Sequence, residues 1–284
     1  MHCLVVTAIN IKALIQRHPV GSYFGLAFTI AWVGSFLAVS PKFIRGETMQ
    51  FSDELLIFLA MLAGPSLAGI TLAGIVDGRS GLRDLFSRMC RWRVGAHWYA
   101  ALLIFPVLIM AVLLALATLL SPDFAPIFFP AGIPIGLFAG FFEETGWMGY
   151  AFPKMPLKHS TLVSSLFLGV IHVLWHIVPD YVGASGTRGA YWLPHFLVMM
   201  LVAMTAMRVL IVWVYVNTRS LLLAQLMHAS STGFLAVLDP TSISPAYSTL
   251  WYAIYGVVLW IVVAIVIAIY GKDLTHRQLL VQLA

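Results

Sequence analysis

The chain has 284 residues, of which 61% are hydrophobic and 10% are charged, with a formal net charge of +5 and a mean hydropathy of +0.95. Because soluble domains carry about 25% charged residues, this composition excludes an ordinary soluble domain and predicts a polytopic membrane protein. Two cysteines, Cys3 and Cys90, are too few for a disulfide scaffold or a thiolate metal site. We expect no cleaved signal peptide, because the N-terminal apolar stretch is short and interrupted.

Short polar breaks divide the apolar sequence into segments of about 20 residues, the length with which an α-helix crosses a bilayer. We therefore predict an all-α membrane protein with about eight spans in one bundle. The whole chain, 1–284, is predicted to form a single membrane domain with its helical core at about 20–270. The predicted spans are residues 20–40, 55–76, 98–120, 133–152, 161–178, 193–216, 221–238 and 250–270.

Lysine and arginine are divided unevenly between the two sides of these spans. Twelve of the 16 lie in the two tails and in alternate connections, three (Lys42, Arg45 and Arg188) lie on the opposite side, and Arg208 lies within a span. Since cytoplasmic loops carry the excess of basic residues, both termini are predicted to be cytoplasmic. Topology and anionic lipid account for the basic excess, so no nucleic-acid partner is expected.

The basic segment GLRDLFSRMCRWRV, residues 81–94, has two interpretations. It suits an interfacial helix, in which leucine, phenylalanine, methionine and tryptophan face lipid while arginine faces the headgroups. It equally suits a plain basic loop between two spans. The sequence leaves both open.

Two adjacent acids interrupt the fourth predicted span. Of 11 acidic residues, only Glu143 and Glu144, in the stretch AGFFEETGWMGYAFP, fall well inside a span. An ionisable group in the membrane costs a few kcal/mol, which predicts a functional role. Adjacent side chains on a helix point about 100° apart. We therefore expect one acid to face the bundle interior and the other to pair with a backbone amide or with the intramembrane Arg208.

Histidines fall in two other spans. His172 and His176 lie four residues apart on one helix face, and His228 in the seventh span is followed at the same spacing by Thr232. Carboxylates and imidazoles together supply a general base for water and a donor for an oxyanion, or ligands for zinc. The alternatives are a structural ion pair and histidines that only hydrogen-bond between helices. No HExxH or GxSxG motif is present, and the repeat symmetry typical of transporters is not seen.

Three motifs, in this order, resemble the CPBP family, the type II CAAX prenyl proteases with their bacteriocin-processing and immunity relatives. EETGWMG, which begins at Glu143, resembles the family's EExxxR motif. LWHIVP, with His176, resembles its second motif, and NTRSLLLAQLMHASST, with His228 and Thr232, resembles its HxxxN or HxxxD motif. With further similar stretches such as GPSLAGI, the resemblance covers about residues 20–270.

The resemblance implies an endopeptidase of eight spans that hydrolyses a peptide bond in a hydrophobic or membrane-associated substrate, without a covalent intermediate. It implies that Glu143 and His176 position and activate the water, that His228 and Thr232 hold the oxyanion, and that Glu144 supports them. No cofactor is expected, and if zinc were bound its ligands would be Glu143, His176 and His228. The expected partners are a peptide or protein substrate and the lipid bilayer of a bacterial plasma membrane.

The sequence departs from the family pattern at two positions. Met148 stands where the first motif has arginine, and Thr232 stands where the third has asparagine or aspartate. Arg208 or His172 is the candidate replacement for the missing arginine, and His172 is otherwise a packed histidine. The alternative function is therefore a catalytically impaired relative that acts as a membrane binding, scaffold or bacteriocin-immunity protein.

Overall fold

The structure is a computed structural model that describes residues 11–47, 49–156, 159–240 and 243–275. Every regular element in these ranges is a helix. In chain order the helices are α1 (Ile11–Arg17), α2 (Pro19–Ile44), α3 (Phe51–Met89), α4 (His97–Leu119), α5 (Gly132–Gly146), α6 (Thr161–Arg188), α7 (Thr205–Thr218), α8 (Leu221–Val237) and α9 (Pro245–Tyr270). The all-α polytopic fold predicted from the sequence is confirmed. The sequence predictions that involve Cys3, Lys158 and Arg277 lie outside the described residues.

Five helical runs of the described chain are long and apolar enough to cross a membrane, so the protein is an integral membrane protein. These runs are Pro19–Lys42, Ser52–Met89, His97–Leu119, Thr161–Thr218 and Pro245–Tyr270. They contain six of the eight predicted spans, because Thr161–Thr218 includes both α6 and α7. The other two predicted spans correspond to α5 and α8, which are shorter, at 15 and 17 residues.

Helix α3 extends well past the predicted span 55–76. Gly78 has a φ of 65° and interrupts the helical backbone, but the chain then continues as a helix to Met89. The first part of the basic segment 81–94 is therefore helical rather than a plain loop. Arg88 ties this extension to the bundle, because it donates hydrogen bonds to the hydroxyl of Tyr215 and the carbonyl of Gly149.

Helices α5 and α8 are in direct backbone contact along a stripe of glycines. Gly132, Gly136 and Gly140 recur every fourth residue and so share one face of α5. A Cβ at Gly136 would overlap the Cα of Gly233, and one at Gly140 would overlap the carbonyl oxygen of Gln225. Small residues of this kind let membrane helices approach closely. The stripe therefore fixes the position of α5 against α8.

The opposite side of α5 is held by α3. A side chain at Gly146 would collide with the carbonyl of Pro65, and one at Gly69 would collide with Gly146, so the two helices also touch by their backbones. The hydroxyl of Ser66 donates to the carbonyl of Phe142 at 2.9 Å. Because α5 is clamped between α3 and α8, the acids near its end have a fixed position in the bundle.

Two π-helical stretches adjoin the polar part of the bundle. Trp147–Ala151 follows α5 directly, and Leu197–Met204 leads into α7. Each π turn changes the rotation of the helix that continues from it, and such turns are frequent at functional sites. Helix α7 is almost wholly buried, so Arg208 enters the centre of the bundle.

Candidate active site

Glu144 is buried and is hydrogen-bonded to side chains from two other helices, α7 and α8. Its Oε2 accepts a hydrogen bond from Nη1 of Arg208 at 2.6 Å, and its Oε1 accepts one from Nδ1 of His228, also at 2.6 Å. All three side chains are buried. The structure thus shows the intramembrane ion pair with Arg208 that the sequence indicated for one of the two acids.

Glu143 points in a different direction from its neighbour. Nε2 of His172 lies 2.9 Å from its Oε2, at hydrogen-bond distance, and Nε2 of His228 lies 3.9 Å from the same oxygen. Its exposed fraction is 5%, against 0% for Glu144, and it borders a cavity. Of the two acids, Glu143 is the one that an incoming molecule can reach.

Arg208 connects the two acids through His172. One of its terminal nitrogens holds Glu144, and the other, Nη2, lies 2.9 Å from Nδ1 of His172. His172 is completely buried and is hydrogen-bonded at both ring nitrogens. It therefore belongs to the polar cluster and is not merely packed among apolar side chains.

His176 lies one helical turn after His172 and is half-buried. The centroids of the two rings are 5.2 Å apart, and the ring of His176 also packs edge-on against Trp175. His176 shares with Glu143 and His172 a cluster in which one potential ligand atom from each lies within 4.8 Å of the others. In the described chain, the candidate metal-ligating group therefore includes His172 in place of the predicted His228.

This donor set fits a zinc ion poorly. Zinc binds neutral imidazole through a free lone pair, typically at about 2.0–2.1 Å. Both nitrogens of His172 already have partners, Arg208 on one side and Glu143 on the other. A zinc ion at His172 would have to break one of these hydrogen bonds and bring two positive charges beside Arg208.

Four of the residues predicted from sequence open onto one cavity of about 540 Å³. These are Glu143, His176, His228 and Thr232. Thr232 lies one turn after His228 on α8, which the glycine stripe holds against α5. The structure therefore brings together, around one space, three motifs that are far apart in the sequence.

The wall of the cavity is rich in methionine. Met61 comes from α3, and four more come from the π-helical stretch and the start of α7: Met199, Met200, Met204 and Met207. Methionine side chains are apolar and flexible, so they fill irregular gaps and adapt to different apolar shapes. The cavity is thus suited to an apolar ligand beside its polar residues.

Charged residues line another part of the same cavity. Along α6, Arg188 lies twelve residues beyond His176, which corresponds to about 18 Å of helix. Arg188 pairs with Asp180 at 3.2 Å, and both line the cavity together with Asp239, which follows α8. Burial raises the pKa of the Asp239 carboxyl above its usual range, although Arg188 opposes this shift. The cavity therefore runs from the polar cluster towards the charged ends of α6 and α8.

Met148 is fully buried in the apolar core on the π-helical turn after α5. Glu144 nevertheless has a cationic partner, because Arg208 reaches it from α7. The positive charge that the EExxxR pattern places four residues after its second acid is thus provided here by a different helix.

The sequence interpretation missed part of this arrangement. It named His172 without assigning its partners, it offered Arg208 as a partner for one acid without saying which, and it did not predict the methionine wall. The wall combines α3 with the π-helical stretch and the start of α7, and methionines within a continuous apolar stretch give no periodic signal. Arg208 did stand out in the sequence, because it is a basic residue inside a predicted span.

A comparison with family models locates the same part of the chain. Residues 125–234 match the model described as type II CAAX prenyl endopeptidase Rce1-like. The match contains α5, α6, α7 and most of α8. It includes every candidate site residue named from the sequence: Glu143, Glu144, His172, His176, His228 and Thr232. A search of curated proteins found no match.

Proposed function

We propose that the chain is a member of the Rce1-like family of type II CAAX prenyl endopeptidases, whose model matches residues 125–234, and that it hydrolyses peptide bonds within the membrane. The proposed substrate is a hydrophobic or membrane-associated peptide, and the proposed base is Glu143. The observation that carries the proposal is the placement of Glu143, His176 and His228 around one cavity.

In the proposed first step, a water molecule lies between Glu143 and His176. The carboxylate of Glu143 takes a proton from this water while its oxygen attacks the carbonyl carbon of the scissile peptide bond. His172 supports the step, because its hydrogen bond to Oε2 of Glu143 fixes the direction of the carboxylate. Burial of the site strengthens these interactions relative to bulk water.

The attack produces an oxyanion, for which His228 and Thr232 are the proposed donors. In its doubly protonated form, His228 donates from Nδ1 to Glu144 and has Nε2 directed to the cavity side, near Glu143. Thr232 adds a hydroxyl to the same cavity. The proton held by Glu143 then passes to the leaving nitrogen as the carbon–nitrogen bond breaks, so the reaction needs water alone as co-reactant.

Charge balance supports this protonation state. Arg208 and doubly protonated His228 carry two positive charges, and Glu143 and Glu144 carry two negative charges, so the cluster is neutral. Isolated charges are costly within the membrane, and ionisable groups there pair with one another. Each carboxylate faces a cationic or histidine partner at hydrogen-bond distance.

The methionine wall supports a hydrophobic substrate. It is suited equally to apolar side chains and to an attached lipid chain, so we propose the broader class and not a prenylated substrate. The remaining parts of the proposal are a single membrane domain, a bacterial plasma membrane location with both termini in the cytoplasm, and catalysis without a bound metal.

The experiment is peptide cleavage by the full-length protein in proteoliposomes, measured with a panel of internally quenched apolar peptides. Glu143→Gln keeps the shape of the side chain but removes the base, and we expect kcat to fall by about 10²–10⁴-fold. Glu47→Gln, an exposed residue in the connection between α2 and α3, is the matched control and keeps full activity.

Equal cleavage by Glu143→Gln and the unchanged protein would contradict the proposed chemistry. Binding of a peptide without cleavage, by protein that is folded as judged by its thermal unfolding, would instead favour the non-catalytic binding function.

A further inference from the structure

We infer that Arg208 is a positioning residue that sets the protonation pattern of both arms of the site. One arm is His172 with Glu143, and the other is Glu144 with His228. The inference rests on the proposed function for its catalytic meaning, but the protonation pattern itself is measurable without any substrate.

The first arm follows from the chemistry of the guanidinium group. Arginine has five N–H donors and no acceptor. Its contact with Nδ1 of His172, at 2.9 Å, therefore requires a lone pair on that nitrogen. The partner of one imidazole nitrogen decides which nitrogen carries the proton. Arg208 thus holds His172 in the neutral tautomer with its proton on Nε2.

This tautomer determines how His172 contacts Glu143. Nε2 lies 2.9 Å from Oε2 of Glu143, and with its proton there it donates to the carboxylate. The opposite tautomer would place a lone pair against a carboxylate oxygen. Arg208, which does not line the cavity, therefore reaches the proposed base through His172 and orients it as a hydrogen-bond acceptor.

The second arm begins at the other terminal nitrogen of Arg208. Nη1 donates a hydrogen bond to Oε2 of Glu144. The other oxygen, Oε1, is then free to accept a hydrogen bond from Nδ1 of His228. Because this bond fixes Nδ1 of His228 as a donor, the Nε2 atom is the one left facing the cavity side. The same guanidinium therefore aligns the proposed oxyanion donor.

A purely structural ion pair explains less of this geometry. Replacing a buried ion pair with apolar residues is often neutral or stabilising, so burial of Arg208 is weak evidence for a role in stability. The third nitrogen of the group, Nε, has no hydrogen-bond partner among the described residues. The bonds that Arg208 makes are directed to Glu144 and His172, which in turn contact His228 and Glu143.

The direct test is ¹⁵N NMR of histidine-labelled full-length protein in micelles. We expect His172, assigned by the loss of its signals in His172→Gln, to show a pyrrole-type Nε2 and a pyridine-type Nδ1. In Arg208→Met this single tautomer should be lost. Because Arg208→Met leaves a buried carboxylate unpaired, Arg208→Met/Glu144→Gln removes both charges and provides a second variant in case the first does not fold.

An Nδ1-protonated His172 in the unchanged protein would overturn the inference, as would a His172 tautomer that is the same in the folded variants. This measurement needs no substrate, so it remains decisive even if the protein cleaves no peptide and the proposed function fails.

The activity test uses any quenched peptide that the unchanged protein cleaves. Displacement of catalytic groups by about 1 Å can cost about 10²-fold, so we expect Arg208→Met to lower kcat by that order with little change in KM. Arg208→Lys restores a positive charge beside Glu144 but cannot also donate to Nδ1 of His172. We therefore expect an intermediate kcat. Arg88→Met removes another hydrogen-bonded arginine, on α3, and serves as the structural control.

A kcat for folded Arg208→Met equal to that of Arg88→Met would show that the role of Arg208 is structural only. A selective loss of kcat, partly recovered by lysine, supports the positioning role.

Discussion

Glu143 and Glu144 are adjacent in the chain, but their hydrogen-bond partners and their access to the cavity differ. Glu144 is closed in by Arg208 and His228, with both of its oxygens bound. Glu143 is held at Oε2 by His172 and otherwise borders the cavity. Two identical side chains, adjacent in the chain, therefore have different partners and different access to the cavity.

The difference follows from helix geometry. Adjacent residues point about 100° apart, and α5 is clamped by backbone contact on two sides. One acid is thus turned towards α7 and α8, while the other is turned towards α6 and the cavity. A pair of acids in a membrane helix need not be a redundant pair or a shared proton site, because each can have its own partners.

The largest expected effect on this comparison is a loss of stability in Glu144→Gln. Breaking a buried pair leaves Arg208 without its counter-charge, which costs about 3–5 kcal/mol. Glu143→Gln keeps a hydrogen bond to His172 and leaves Arg208 paired with Glu144, so it should cost less. The measurement is the free energy of unfolding by SDS titration in mixed micelles. Equal losses in the two variants would show that the two environments are energetically alike.

A smaller effect is expected at the oxyanion side of the cavity. Thr232→Val keeps the volume of the side chain and removes its hydroxyl, and loss of one such donor lowers kcat by about 10²-fold. The free energy of unfolding should change little. This variant therefore tests the cavity that Glu143 borders without disturbing the enclosed contacts of Glu144. Thr29→Val, at an exposed position on α2, is the matched control. Unchanged turnover in Thr232→Val would remove this residue from the mechanism.

No effect is expected from metal removal. His172 has Arg208 at one nitrogen and Glu143 at the other, so neither of its ring nitrogens is free to bind a metal ion. The measurement is kcat/KM after dialysis against a strong chelator, together with the zinc content of the active protein. Stoichiometric zinc whose removal abolishes cleavage would mean that the Glu143 side of the comparison is a metal site.

The spans of the fold could be predicted because apolar segments of about 20 residues are separated by polar breaks. The helix ends were less predictable. Pro179 and Asp180 suggested the end of a span near residue 178, but α6 continues to Arg188 with Pro179 inside it. Proline is tolerated within membrane helices because neighbouring groups satisfy the backbone carbonyl that it frees.

Motif order alone predicted which residues share the cavity, but not which side chains pair. The pairs Arg208–Glu144 and His172–Glu143 join positions 64 and 29 residues apart. Their formation depends on how far each helix is rotated about its axis, and that rotation is set by the glycine contacts and π turns. Periodicity within a uniformly apolar segment carries little information about such rotation. The roles assigned to Glu143, His176, His228 and Thr232 stay predictions.

The glycine stripe between α5 and α8 has a consequence for how substrate range can change. At Gly136 and Gly233 the two backbones touch with no side chain between them, so the spacing between the acids and His228 is fixed by backbone contact. The methionine wall, by contrast, is built from long side chains on α3 and the stretch before α7. Substitutions such as Met200→Phe can therefore reshape the volume of the cavity while the acids and His228 keep their separation.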